Sequence, residues 1–151
     1  ALCPTLATHY FTCKFGVEAG IAPWKVEKGQ RAAEAQHIGL EKAWKAGIPV
    51  TIGTDAGTPY NPHWGTFMEF VLFVEDMGFD PMETLVAGTI RSAKVCGVDD
   101  WTGSITPGKH ADFIVLGENP VKNIRTLGHV EQVYKDGTLV SLPPIDQSCT
   151  D

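Results

Sequence analysis

Ile48-Pro-Val-Thr-Ile-Gly-Thr-Asp-Ala-Gly57 reads as a short β-rich strand that ends on a single aspartate. Val50, Thr51 and Ile52 are β-branched and suit a pleated, buried segment. Ala43-Trp-Lys-Ala-Gly47, just before it, reads as the end of a helix, with glycine in the capping position. Gly57 lets the chain turn away after Asp55. A carboxylate at the carboxyl end of a strand that follows a helix is where α/β barrels place their chemistry. The competing reading makes Asp55 a cap for the turn or helix that follows, a common role for aspartate.

The surroundings narrow the choice. The chain has 151 residues, enough for one buried core but too few for a complete eight-stranded α/β barrel, which takes roughly 200 or more. Apolar content of 43% with 20% charged residues describes an ordinary globular composition rather than a disordered one. A net charge of −6 and the absence of any Lys/Arg cluster argue against nucleic acid as a partner. No stretch approaches the ~20 apolar residues of a membrane span. The start, Ala1-Leu-Cys-Pro-Thr-Leu6, has neither a basic region nor an initiator methionine and looks like the middle of a longer polypeptide. The compartment is therefore open, cytoplasmic if no signal peptide lies upstream.

Cys3, Cys13, Cys96 and Cys149 form no Cys-x-x-Cys pair and are expected as reduced thiols, Cys96 as a small apolar residue in a helix. His9, His37, His63, His110 and His129 contain neither His-x-His nor His-Glu-x-x-His. The chain by itself offers no self-sufficient metal site.

The element pattern begins with a predicted strand at Pro4–Thr8 and a long loop over 14–29, where Gly16, Gly20, Pro23 and Gly29 interrupt any period. A helix is predicted from Gln30 to Ala46, then the strand at 48–54. Phe67, Phe70, Val71, Val74 and Met77 form one apolar helix face ending at Gly78. Asp80-Pro-Met-Glu83 is a helix start, with Asp80 as cap, Pro81 in the first turn and Glu83 able to complete a capping box; that helix runs to Gly97. After Trp101 the period becomes that of strands. Ala111–Leu116 is one, and Val130–Lys135 and Thr138–Leu142 flank the hairpin signal Asp136-Gly137. The expected division is 1–100 for strand–helix units, 101–142 for a small β region too thin to enclose a core, and 143–151 for a polar, disordered tail.

These residues carry a resemblance. Gly53-Thr-Asp-Ala-Gly57 after Ala46-Gly-Ile-Pro49 resembles the final barrel strand of the amidohydrolase superfamily. The likeness continues through Asp80-Pro-Met-Glu-Thr-Leu85 and Ala93-Lys-Val-Cys-Gly97. It is sharpest in Gly103-Ser-Ile-Thr-Pro-Gly-Lys-His-Ala-Asp-Phe-Ile-Val-Leu116, and Val130-x-x-Val-Tyr-Lys-Asp-Gly137 closes it. It covers about residues 1–142. Pro4-Thr-Leu6 and Thr58-Pro-Tyr-Asn-Pro-His63 look most like the imidazolonepropionase-like and prolidase-like branch, although Trp64 stands where a glycine is expected soon after the histidine.

The resemblance implies an α/β chain: the C-terminal part of a (β/α)8 TIM-like barrel plus part of a small composite β-sandwich domain. It implies hydrolysis of an amide-like C–N bond, in a small peptide-like or cyclic amide substrate, by metal-activated water. The cofactor would be a divalent metal, zinc, as one or two ions, with most ligands upstream of Ala1. Asp55 matches the aspartate that binds metal and accepts the proton of the attacking water, and His63 matches a position that faces substrate. His9 matches no ligand position, and a loop or supporting role is expected for it. His37, His110 and His129 are expected to be structural or exposed, and Asp112 architectural. The remainder of the barrel, in the same or a companion chain, and a second copy of the protein are the implied partners, and this segment alone would be inactive. The alternatives are a non-catalytic scaffold homologue without the metal centre, or a deacetylase or deaminase of the same superfamily.

Overall fold

Two extended segments, residues 1–4 and 48–54, lie side by side and parallel in the computed structural model, which describes residues 1–140. Leu2 N–H donates to Pro49 O at 2.8 Å, and Thr51 N–H donates to Leu2 O at 2.9 Å. The segments approach closely because residue 53 is glycine: a Cβ there would sit 2.4 Å from Cys3 Sγ. Among the described residues the ladder amounts to one parallel bridge, Leu2 with Val50, so the predicted strand at 48–54 is extended backbone rather than a full strand.

The predicted strand at Pro4–Thr8 is corrected. The extended part stops at Pro4, Thr5 turns into the left-handed region at φ +53°, and α1 (Leu6–Phe15) begins. Tertiary structure overrides local propensity here. The buried Glu69 carboxylate accepts the amides of Leu6 and Ala7 at 2.8 and 2.7 Å, satisfying two donors that a helix start leaves without intrahelical partners.

The predicted loop over 14–29 is also corrected. It contains a 3₁₀ turn at Val17–Ala19 and the first turns of α2 (Pro23–Lys45). Pro23 is the first residue of the helix, where its missing N–H costs nothing. Gly29 lies inside α2, where a Cβ would already touch Thr12 Cγ2 at 3.5 Å and Cys13 Sγ at 3.6 Å, so the small residue lets α2 lie close against α1.

A 3₁₀ turn at His63–Thr66 leads into α3 (Phe67–Val71), which continues as a π-helical turn at Leu72–Asp76. Met68, Val71, Leu72 and Phe73 are its buried apolar residues, while Phe67, Phe70, Val74 and Met77 of the predicted face are partly covered. The burial is wider than a single stripe because this helix packs against both α1 and the 3₁₀ turn at Ile124–Gly128. Phe11, Leu40, Val50, Phe73 and Phe79 lie in the core, and Phe79 stacks on Trp44 with ring centroids 4.5 Å apart.

Asp80 caps α4 (Pro81–Val86) by accepting Glu83 N–H at 3.0 Å. The capping box is not completed, because the Glu83 carboxylate pairs with Arg91 at 2.9 Å instead. A π-helical turn at Ala87–Arg91 and α5 (Ser92–Cys96) follow, and Cys96 is exposed. Arg91 and Ser92 donate to Val50 O and Ile52 O, which ties this helix to the segment carrying Asp55.

The β region forms an antiparallel sheet of order β1–β2–β3, with β1 Phe113–Leu116, β2 Val130–Lys135 and β3 Thr138–Val140. The turn is Asp136-Gly137, both at positive φ. Ala111 and Asp112 are a corner rather than strand. Gly137 N–H donates to Ala111 O, and Asp112 accepts Asp136 N–H at 2.8 Å and Lys135 Nζ at 2.6 Å, an architectural use of the carboxylate. Ile114, Leu139 and Val140 remain exposed, in keeping with a sheet that does not close a core of its own. The predicted end of the last strand at 141–142, the tail and Cys149 lie outside the described residues.

Gly103 opens the β-region motif at φ +85°, and a Cβ there would lie 2.6 Å from Ala93 Cβ and 3.0 Å from Ile90 Cα. Gly103→Ala is expected to destabilise by roughly 1–3 kcal/mol, since both the backbone conformation and the packing oppose it. A urea midpoint equal to that of the unsubstituted protein would contradict this.

Candidate functional site

Each of the two parallel segments ends on a residue in the left-handed region, Thr5 at φ +53° and Asp55 at φ +52°. Such conformations are disfavoured for residues with a side chain and persist where surrounding contacts over-determine them, often at functional sites. After Asp55 the chain makes a tight loop whose Tyr60, also at positive φ (+67°), donates its hydroxyl to Ala19 O at 2.6 Å. That bond pins the loop against the chain that follows α1.

Asp55 stands at the end of a segment whose Val50, Thr51 and Thr54 are buried, and its own side chain is exposed. Only its backbone carbonyl is engaged, by Thr58 Oγ1 at 3.3 Å and Asn61 Nδ2 at 3.2 Å. Among the described residues its carboxylate makes no hydrogen bond or ion pair. Among the described residues the carboxylate caps no turn or helix.

His63 is exposed at the start of its 3₁₀ turn, with its ring against Gly57, where a Cβ would be 3.4 Å from Nε2. Asp55 and His63 thus flank one loop. Trp64, the departure from the expected glycine, is 39% exposed, and Gly65 takes the close contact instead, with a Cβ position 2.9 Å from Phe11 Cζ.

The other histidines fall elsewhere. His9 lies on α1, and its Nδ1 is buried without a hydrogen-bond partner among the described residues. His37 is half-buried on α2. His110 is exposed and pairs with Asp136, and His129 is exposed.

Asn61 and Glu69 are not evident as site residues from the sequence. Asn61 is 2% exposed and gives its amide to the carbonyls beside Asp55; it stands inside the Thr58-Pro-Tyr-Asn-Pro-His63 stretch, but that stretch does not show which backbone groups its side chain meets. Glu69 had a signal: it is the one charged residue in Phe67-Met-Glu-Phe-Val-Leu-Phe-Val74.

As a metal donor set, the described residues fit one ligand rather than a whole site. Asp55 offers a hard carboxylate oxygen that nothing else occupies. No group of three or more His, Cys, Asp or Glu among the described residues could hold a metal ion by itself.

The family model for the amidohydrolase family matches residues 11–140. The chain belongs to the amidohydrolase family. Within it, ochratoxinase of Aspergillus niger is 32% identical over 122 residues, which span 78% of this chain and 25% of that protein. Imidazolonepropionase of Geobacillus kaustophilus is 32% identical over 98 residues, 63% of this chain and 23% of that protein. The crystal structure of a candidate prolidase from Bifidobacterium longum superposes with a TM-score of 0.85 at 35% identity, covering 94% of this chain and 35% of that one.

This amidohydrolase chain therefore spans about a quarter to a third of the length of these relatives. Family and structural likeness imply a TIM-barrel-type fold for the protein that contains this chain; the described residues themselves hold mixed helices and a three-stranded antiparallel sheet. The family's hydrolases act on carbon–nitrogen bonds and are generally metal-dependent. No described helix is long and apolar enough to cross a membrane.

Proposed function

We propose that the protein containing this chain hydrolyses an amide-like C–N bond, in a small peptide-like or cyclic amide substrate, with Asp55 as its proton-transfer carboxylate. The observation that carries the reading is the Asp55 side chain: free of hydrogen bonds and ion pairs among the described residues, at the end of a partly buried extended segment, and held in a left-handed conformation. Family membership supplies the bond type.

In this reading Asp55 accepts a proton from the attacking water and passes it to the leaving nitrogen, general base and then general acid in one turnover. His63, across the same loop, donates a hydrogen bond to a carbonyl or carboxylate of the substrate. Asp55 would also hold a divalent metal, zinc by preference, whose chemistry is to bring the pKa of bound water to about 7. Catalytic zinc takes three protein ligands plus water, so further ligands come from the remainder of the barrel, in the same or a companion chain.

The test is a substrate panel on the purified protein that contains this chain: Xaa-Pro dipeptides, N-acyl amino acids and cyclic amides, each with and without a chelator. Hydrolysis of at least one class, abolished by the chelator and restored by zinc, is expected. Ammonia release from an aminopurine in place of amide hydrolysis would move the assignment to a deaminase. No turnover of any class with added zinc would overturn the enzyme reading in favour of a scaffold.

A further inference from the structure

We propose that Asn61, seconded by Thr8, is the positioning residue for Asp55, a role that rests on the catalytic reading of that aspartate. Asn61 is buried, and its Nδ2 donates to Thr54 O at 2.7 Å and to Asp55 O at 3.2 Å. Those two carbonyls belong to the peptide planes on either side of the Asp55 Cα. The relative orientation of the two planes is what φ and ψ of residue 55 describe, and these angles fix the direction in which Cβ and the carboxylate leave the backbone. One amide group holding both carbonyls therefore sets the aim of the Asp55 side chain.

The rest of the contact set serves the same point. Thr8 Oγ1 donates to Thr54 O at 2.9 Å and lies 3.2 Å from Asn61 Nδ2, so α1 and the loop grip one carbonyl together. Asn61 is itself anchored by its backbone. Its N–H donates to Thr58 O at 3.0 Å, and its carbonyl accepts Gly57 N–H at 2.9 Å. The loop after Asp55 thus folds back to place this side chain under the aspartate. The Asn61 Oδ1 has no partner among the described residues, so the side chain gives up one half of its bonding to make these contacts.

The consequence is mechanistic rather than architectural. With the Asn61 amide removed, Thr8 still holds Thr54 O and Thr58 still holds Asp55 O at 3.3 Å, but no single group ties the two carbonyls together, and the aim of the Asp55 carboxylate at φ +52° is loosened. Supporting partners of metal ligands typically contribute 10–100-fold in affinity or activity. Asn61→Ala should therefore lower kcat by about 10–100-fold and weaken zinc, read by competition with a chromogenic chelator, by about tenfold or more, with KM moving much less than kcat.

A double-mutant cycle in the protein that contains this chain separates positioning from stability. If Asn61 acts through Asp55, Asn61→Ala costs almost nothing further in rate or zinc affinity once Asp55→Asn is present. Equal losses in both backgrounds, or more than half of kcat retained with unchanged zinc affinity in Asn61→Ala alone, would overturn the proposal. Where Asn61→Ala does not fold, Thr8→Val takes its place in the same cycle, with a smaller expected loss, about 3–10-fold in kcat, and the same non-additivity. Normal turnover of Asp55→Asn by itself would remove the catalytic reading and this proposal with it. A large Asp55→Asn loss with an additive Asn61 effect would remove this proposal alone.

Discussion

Glu69→Ala is expected to cost about 3–5 kcal/mol of stability, through two buried backbone donors left unpaired and the void left by the side chain. Glu69 has no exposed surface, and its two oxygens accept the Leu6 and Ala7 amides at the start of α1. Burial pushes its carboxyl up from the ordinary 4.5 to about 7, although the two backbone hydrogen bonds favour the charged form. Desolvation wins because no cationic side chain contributes to the balance.

The sign follows from the folded value lying above the unfolded one. Between pH 4.5 and about 7 the folded chain keeps a proton that the unfolded chain has released, so the stability Glu69 contributes is complete below 4.5 and lost as pH rises through 7. The loss amounts to about 3 kcal/mol between pH 4.5 and pH 8. Asp112 and Glu41, whose carboxyls are held below their ordinary values by Lys135 and Lys45, act at the acid end and do not overlap this window. Glu69→Gln removes the titration but can satisfy only one of the two amides. Denaturant titrations should show it below the unsubstituted protein at pH 5, with the gap narrowing by pH 8. A gap that stays constant over that range would show that Glu69 does not titrate there.

The same carboxylate explains where sequence reading stopped. Pro4-Thr-Leu-Ala-Thr8 has the composition of a strand, but its second half is helix, its first amides held by a glutamate 62 and 63 residues away. Pro23 and Gly29 look like loop residues, yet Pro23 starts α2 and Gly29 is the contact that lets α2 meet α1. The roles of Glu69 and Gly29 exist only once elements are packed, whereas Pro23 at a first helical position is a local start signal of the same kind as Pro81. What depends on local pattern was legible: Asp80 as a cap, Asp136-Gly137 as a hairpin turn, and the change from helical to strand periodicity after Trp101.

The site divides along the same line. Asp55 at the end of an extended segment and His63 in its loop could be named from spacing and resemblance, because turn chemistry and motif lie in consecutive residues. Asn61 could not, since its importance comes from facing two carbonyls six and seven residues back while Thr8 arrives from α1. A whole metal site could not be read either, since no group of three or more His, Cys, Asp or Glu comes together among the described residues.

Asp55→Asn is expected to have the largest effect on turnover of any single substitution in this chain. Asparagine keeps the shape of the side chain and can still serve a turn, so folding should change little. It removes the negative charge and the proton acceptor together, and the loss should exceed the 10²–10⁴-fold that general acid–base catalysis alone contributes. A capping role would give the opposite pattern, with near-normal turnover in Asp55→Asn and lost stability in Asp55→Ala. The deciding measurement is kcat of Asp55→Asn against the unsubstituted protein, on whichever amide substrate is turned over, at matched zinc and with the melting temperature of both recorded. A fall beyond about 10⁴-fold with an unchanged melting temperature is the predicted result. More than about a tenth of the rate retained, under ~1.4 kcal/mol of barrier, would contradict the assignment of Asp55 as the catalytic carboxylate.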